Sequence, residues 1–307
     1  MIANRISYEL DLHGPSMVIK TGCSASLVGL HEACTALRMG HCSAAIVAGT
    51  SLITNPATTA AMTREGIVSP NGSCKTFDAD ADGFARGEAI DALYIKRLDD
   101  AMRDENPVMG VIRNTGTNSD GKGSNLLQPN GIAHELLMRD VYQNAGLSPN
   151  DTAFVEVERS HRGNCCRQCF WRERHLNRIS QTKSLEHEII PPNIKFDTPN
   201  PKIPLHEKGL MIPTRAIAWP TDCVHRVSIN SFGIGGANAH VIIDAPPKIE
   251  KEINGTSTNR NLIDGALTGG TPKKPEQQLS LLLLSANTEH SLERLVSAML
   301  KLTQRGV

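Results

Sequence analysis

Residues 17–49, MVIKTGCSASLVGLHEACTALRMGHCSAAIVAG, decide how the chain is built. Met17–Thr21 is a short β-prone run. From Ser24 to Met39, the residues Leu27, Leu30, Cys34 and Leu37 recur at helical spacing, and Gly40 closes the helix. Ala44–Gly49 is small and apolar throughout, as a buried strand is. Strand, helix, strand in immediate succession predicts an α/β layered fold. Cys23 stands at the first junction, in Lys20-Thr-Gly-Cys-Ser-Ala-Ser-Leu27. A thiol at a helix N-terminus faces unpaired amides and the positive end of the helix dipole, which favour the thiolate. Gly22, Ser24, Ala25 and Ser26 are small enough for a tight strand-to-helix elbow, the device that presents a nucleophile. From spacing alone, a small core cysteine remains the commoner reading.

The alternation continues outward. Ala89–Ala101 reads as strand or helix, running into the charged Lys96–Asp100. Val108–Asn114 reads as a strand and Ile132–Ala145 as a helix with Leu136, Leu137, Val141 and Ala145 on one face. Residues 159–184 change texture, being basic, cysteine-rich and nearly without aliphatic residues. Residues 185–244 look ordered again. Pro191, Pro192, Pro199, Pro201 and Pro204 punctuate an extended segment, and the strands Val224–Ile229 and His240–Asp244 flank the glycine-rich run Asn230–His240. That run is a tight hairpin or a place where backbone amides approach a ligand. It has no Gly-Lys-Ser/Thr, which makes a phosphate-binding loop a poor reading. Residues 245–278 read as a Pro-, Lys-, Gly- and Thr-rich linker. A strand, Leu279–Ser285, and a helix bearing Leu292, Leu295, Val296, Met299, Leu300 and Leu302 complete the chain, with no internal repeats.

Composition narrows the function. The 307 residues are 39% hydrophobic and 21% charged, enough for a sizeable core. Lys plus Arg and Asp plus Glu both number 32, and aromatic residues make up 4%, which argues against nucleic-acid and acidic-membrane binding. No apolar run approaches the roughly 18 residues of a membrane helix, and MIANRISYEL has no signal-peptide core. Eight cysteines are too sparse for a disulfide scaffold, so a soluble, cytoplasmic protein in a reducing compartment is expected.

Taken in order, several segments resemble one family. They are Ala3-Asn-Arg-Ile-Ser-Tyr8 with Leu12-His-Gly-Pro-Ser-Met17, Thr21-Gly-Cys-Ser-Ala-Ser-Leu27, and Phe77-Asp78 through Gly83-Phe-Ala-Arg-Gly-Glu88. Further matches are Ile112-Arg-Asn-Thr-Gly116 with Asn118-Ser-Asp-Gly121, Leu185-Glu-His187 with Ile190-Pro-Pro-Asn193, Thr198-Pro-Asn-Pro201, and Asn230–His240. The chain resembles the β-ketoacyl synthases (ketosynthases) of thiolase-like fold, most nearly those of fungal iterative reducing polyketide synthases. The resemblance implies a layered αβαβα fold, here incomplete, and a decarboxylative Claisen condensation. It implies that Cys23 accepts an acyl chain, that the amides of Cys23 and Phe232 form an oxyanion hole, and that the Phe232 ring gates the acyl channel. Gly233, Gly235, Gly236 and Asn238 belong to the glycine-rich active-site loop. No metal and no cofactor bound by the domain are implied; substrates arrive as phosphopantetheine thioesters on an acyl carrier protein domain. An acyltransferase domain of the same synthase and a homodimer are the other implied partners. The implied division is a nucleophile region at 1–158, an aberrant segment at 159–184, a C-terminal region at 185–244, a linker at 245–278, and the start of the ketosynthase-to-acyltransferase segment at 279–307.

The sequence also departs from the family. The family's first histidine lies in E-A-H-G-T-G-T, yet Phe154-Val-Glu-Val-Glu158 reaches that point with Glu158 in its place, and no Gly-Thr-Gly-Thr follows. The second, in a K-x-N-x-G-H segment, is absent, which makes a catalytically inactive ketosynthase remnant the alternative to an active condensing domain. Back-translating Cys166–Arg174 and shifting by one nucleotide permits Val-Gly-Asn-Val-Phe-Gly-Glu-Ser-Gly, which resembles the family's normal continuation, so a frameshift or misassigned splice junction across 159–183 is expected. A zinc site from Cys165, Cys166, Cys169, His161 and His175 lacks a clean second ligand pair. Asp78, Asp80 and Asp82 imitate a calcium loop, but its twelfth position is Ala89 and the acid is Glu88. Lys20 and Gly22 replace the family's usual Asp and Ala, and Ala89 a glycine. The family's first strand–helix half has no counterpart before residue 1, so exposed sheet edges and poor solubility are expected. Cys34, Cys42, Cys74 and Cys223 are expected to be structural.

Overall fold

The structure is a computed structural model that describes residues 1–123, 126, 128–156, 184–207, 210–221 and 223–247, together with the backbone strand 279–285. Among these residues the main sheet has seven strands: β1 (Ala44–Ser51), β2 (Ala89–Arg97), β3 (Gly110–Ser119), β4 (Thr152–Glu156), β7 (Val224–Phe232), β8 (Ala237–Asp244) and β9 (Leu279–Ser285). Their order is β1-β2-β9-β3-β8-β7-β4. Pairing is antiparallel throughout, apart from parallel β4 and β7. The short strands β5 (Ile189–Ile190) and β6 (Ile217–Ala218) form a separate pair.

Helices cover both faces. On one, α2 (Ala25–Arg38) lays Leu27, Leu30, Cys34 and Leu37, all buried as their spacing predicts, against Val47, Ile95, Ile112, Val227, Val241 and Ile243. On the other, α5 (Gly131–Asn144) packs Leu137, Val141 and Tyr142 against Phe232 and Ile242. The sheet's period of two sorts β8 between them: Ala239, Val241 and Ile243 face α2 and Ile242 faces α5. This helix–sheet–helix layering realises the expected α/β architecture. At about 25 cal/mol per Å2 of apolar area, each fully buried aliphatic side chain contributes about 1.5–3 kcal/mol before the entropy of ordering.

Several local expectations are corrected. Met17–Thr21 forms no strand; Met17 is 55% and Val18 48% exposed, and the segment has no ladder partner among the described residues. Ala89–Ala101 resolves into β2 followed by the helix α4 (Leu98–Arg103), in which Asp100 pairs with Arg97 and Arg103. The inward face of α5 is rotated from the predicted one: Leu136 is 53% exposed, while Ala133, His134, Leu137, Val141 and Tyr142 are buried. Two helices, α1 (Ile2–Glu9) and α3 (Pro56–Arg64), bury no residue; α3 starts on an Asn55 cap whose side chain accepts from the Ala57 amide at 2.7 Å. The aberrant segment at 159–184 apart from Ser184, most of the 245–278 linker and the helix after Ser285 lie outside the described residues. Among the described residues no helix is long and apolar enough to cross a membrane.

Candidate functional site

Cys23 lies in a 3-10 turn, Gly22–Ser24, that leads directly into α2. The turn is tied from within by the Ser24 hydroxyl, which lies 3.0 Å from the Thr21 carbonyl and 2.9 Å from its hydroxyl. From outside, the Ser231 hydroxyl donates to the Cys23 carbonyl at 2.9 Å. Residues 208 positions apart are thereby placed side by side. Cys23 itself is half-buried and forms no disulfide with a described cysteine.

The partner is the β7–β8 hairpin. Its turn is closed by the Gly233 amide on the Ala237 carbonyl at 2.8 Å and the Gly236 amide on the Gly233 carbonyl at 2.9 Å. Gly235 and Gly236 sit at φ 100° and 90°, where a Cβ is strained. Gly233 is required by closeness instead: a Cβ there would lie 2.4 Å from the Thr21 carbonyl oxygen. The absence of that one carbon lets the hairpin seat against the Gly22–Ser24 turn. Of the two readings the sequence left open for this run, the tight hairpin is present, and its backbone lies close to the turn that carries Cys23.

Below the turn, polar residues are paired across the sheet. Asn238 donates to the Asp120 carboxylate at 2.7 Å and to the Asn118 side-chain oxygen at 3.1 Å. The Asp120 amide in turn donates to the Gly236 carbonyl at 2.9 Å. His240 is fully buried, with Nδ1 2.7 Å from Asn230 Oδ1 and Nε2 3.4 Å from the Ser228 hydroxyl. Burial pushes its pKa down to about 3, so it is neutral throughout the physiological range. Asn230 also donates to the Glu156 carbonyl at 3.3 Å, which fixes the end of β4 beside the hairpin. Arg226 and Arg113 share the Asp244 carboxylate, with Arg226 Nε and Arg113 Nη1 both at 2.6 Å.

The acidic loop after α3 has a structural task. Burial pulls the Asp78 carboxyl upward, but accepting the amides of Thr198, Asp80 and Asp197, with Lys75 nearby, holds it below the usual range. Asp78 thus binds the glycine-rich loop to the proline-rich segment, assisted by Asn193 on the Thr76 carbonyl and Lys195 on Ser73. Asp82 pairs with Lys75 at 3.5 Å. Two of the three residues that mimic a calcium loop in sequence thus have other tasks, the Asp78 carboxylate accepting backbone amides and the Asp82 carboxylate pairing with Lys75.

The predicted site residues therefore divide cleanly. Cys23, Phe232, Gly233, Gly235, Gly236 and Asn238 gather at one end of the sheet. Lys20 is exposed. Cys34 is wholly buried, with a thiol pushed up to about 12 by desolvation, while Cys42, Cys74 and Cys223 are partly buried. The Cys74 sulfur accepts from the Ala85 amide at 3.1 Å. Glu158 and the zinc candidates Cys165, Cys166, Cys169, His161 and His175 lie outside the described residues. Sequence reasoning assigned no role to Asp120 or His134. The spacing of His134 with Leu137 and Val141 along one face of α5 was the signal that could have found it.

Three family models match the chain: "Beta-ketoacyl synthase, N-terminal domain" over residues 1–101, "Beta-ketoacyl synthase, C-terminal domain" over 109–160, and "Ketoacyl-synthetase C-terminal extension" over 199–305. The chain is 44% identical over 88% of its length to the highly reducing polyketide synthase gloL of Glarea lozoyensis, covering 12% of that protein. It is 46% identical over 79% of its length to the highly reducing polyketide synthase FUM1 of Gibberella moniliformis, covering 10% of it. The chain thus spans about an eighth or less of these relatives. Among solved structures, the ketosynthase from module 6 of the bacillaene synthase of Bacillus subtilis superimposes with a TM-score of 0.75 at 30% identity, over 80% of this chain and 50% of that one.

Proposed function

The chain belongs to the β-ketoacyl synthase family, with its thiolase-like fold, and from that premise we propose that it is the condensing domain of a polyketide synthase in which Cys23 is the acyl acceptor. The carrying observation is the seating of the Gly22–Ser24 turn against the β7–β8 hairpin, with Ser231 on the Cys23 carbonyl and Gly233 against Thr21. That arrangement sets a half-buried thiol at a helix N-terminus beside a turn of glycine amides.

The proposed chemistry is that of the family. The Cys23 thiolate attacks the carbonyl of an acyl thioester carried on phosphopantetheine. The oxyanion of the tetrahedral intermediate is met by the amides of Cys23 and Phe232. The carrier thiolate leaves and takes up a proton. In the family's second half-reaction, a malonyl thioester loses carbon dioxide and its enolate attacks the acyl carbonyl. A carbon–carbon bond forms, the carbon–sulfur bond to Cys23 breaks, and the thiolate returns. The helix N-terminus lowers the energy of the thiolate in both steps. The carrier and acyltransferase domains of the same synthase, and a second copy of the chain, are the proposed partners, with no cofactor held by this domain.

A second reading rests on a specific observation. Glu158 stands where the family places a histidine that assists decarboxylation, and the second histidine segment is absent. Acylation needs only the thiolate and the oxyanion hole; decarboxylation needs more. Incubation with an acyl and a malonyl carrier protein therefore separates the readings. We expect acylation of Cys23 without carbon dioxide release, the signature of a condensing domain that has lost its second half-reaction. Appreciable release would show the histidines to be dispensable.

A further inference from the structure

We infer that β9 is a docked strand, and that the gap between β2 and β3 is a recognition site for an antiparallel apolar strand, filled in this chain by its own Leu279–Ser285. Among the described residues, six strands of the main sheet lie between residues 44 and 244, while β9 arrives from beyond the 245–278 linker and enters the middle of the sheet. There β2 and β3 share no ladder with each other; β9 pairs with β2 over Asp91–Arg97 and with β3 over Gly110–Ile112. Without it, both strands present unpaired backbone edges, the surface that an incoming strand recognises.

The register gives the slot a preference beyond backbone pairing. In its middle, Ala92–Ile95 of β2 stand opposite Leu284–Leu281. Nearer its ends, Asp91 stands opposite Ser285 and Lys96 opposite Ser280. Sliding the strand by one residue sets Leu284 opposite Asp91 or Leu281 opposite Lys96, and turns every residue to the other face. The walls suit an apolar guest: Leu93 and Ile95 of β2 and Ile112 of β3 lie in one buried cluster with Leu30 and Leu37 of α2. The two cations at one end are already paired, Lys96 with Asp104 and Arg97 with Asp100, so the site calls for no acidic partner. It selects an uncharged, apolar strand with a small polar residue near each end, and Leu279-Ser-Leu-Leu-Leu-Leu-Ser285 meets that description. Docking of this strand fastens the residues that follow it to the body of the ketosynthase.

The test uses the full chain with a specific protease site inserted between Gly269 and Gly270. After cleavage, the piece that carries β9 should co-elute with the body on size exclusion at micromolar concentration. A labelled peptide of residues 277–287 should then replace it. In the uncleaved chain the tether holds β9 at an effective concentration on the order of millimolar, so at roughly 0.1 mM peptide uptake should be about ten-fold lower. The same peptide with Leu282→Pro, which lacks a mid-strand amide, should enter neither form. Separation of the two pieces, a piece that the peptide never replaces, equal uptake by cleaved and uncleaved chains, or equal uptake of the proline peptide each overturns the inference. Should the cleaved chain precipitate, hydrogen exchange in the unmodified chain decides. There β9 and Asp91–Arg97 must open together while β7 and β8 stay protected, and equal protection of β9 and β7 contradicts a docked strand.

Discussion

The two sides of the main sheet are held in different ways. On the β3-β8-β7-β4 side, β7 and β8 are buried along nearly their whole length, including Arg226, Ser228, Asn230, Asn238 and His240. Each of these polar residues meets another element or the opposite strand. On the other side, β1 and β2 are half-exposed, and they reach the rest of the sheet through β9, which pairs with β2 over Asp91–Arg97 and with β3 over Gly110–Ile112. One side is fixed by cross-linked polar residues inside an apolar layer. The other is joined by backbone ladder and by α2, which packs on both. Reactive groups belong on the first kind, because a nucleophile turn keeps its geometry only where its support does not fluctuate.

The largest test of that contrast is a proline at Leu282, which lies mid-strand in β9 opposite Tyr94. A central strand cannot lose an amide or accept the ring without disruption. We expect a loss of about 3 kcal/mol or more, seen as a fall of roughly 6–12 °C in melting temperature. Hydrogen exchange should accelerate first in β1 and β2 and last in β7 and β8. Uniform acceleration would show that the two sides unfold as one.

Acid should attack the opposite side. His240 has a native pKa lowered to about 3 against an ordinary value of 6.5. Between these values the unfolded chain binds a proton that the native chain excludes, so stability rises with pH and falls on acidification. Between pH 7 and pH 5 the loss is about 2 kcal/mol from this residue alone. Burial shifts His134 and His31 in the same direction. Denaturant unfolding at the two pH values checks it, and His240→Asn should flatten the dependence. An equal slope in the variant would place the titration elsewhere.

The smallest expected effect is local. Asn55→Ala removes the cap of α3, a helix with no buried residue to hold it. The cost is about 1 kcal/mol. Exchange protection should fall within Pro56–Arg64 while β7 and β8 stay unchanged, because among the described residues no side-chain hydrogen bond links α3 to either strand.

This contrast also explains how far the sequence could be read. The α2 core face was legible because Leu27, Leu30, Cys34 and Leu37 keep a simple period against one apolar layer. The ends of β7 and β8 were not. Asn230–Phe232 and Ala237–Ala239 read as loop, since polar residues inside a strand are marked only by partners that folding supplies. The strand Leu279–Ser285 was visible as a strand, yet its insertion between β2 and β3 was not, because register and neighbours are set by tertiary pairing. Cys23, Phe232 and the glycine run were legible as motifs. His134 and Asp120 were hidden for the same reason as the strand ends: their meaning lies in contacts between residues far apart in the chain.

The central claim is that the seated turn makes Cys23 an acyl acceptor. Intact-mass and peptide mapping after incubation with an acyl phosphopantetheine thioester test it most directly. The account predicts one acyl group per chain, located on the peptide containing Cys23 and lost in Cys23→Ala. An unmodified chain, or acylation that persists in Cys23→Ala, would contradict it.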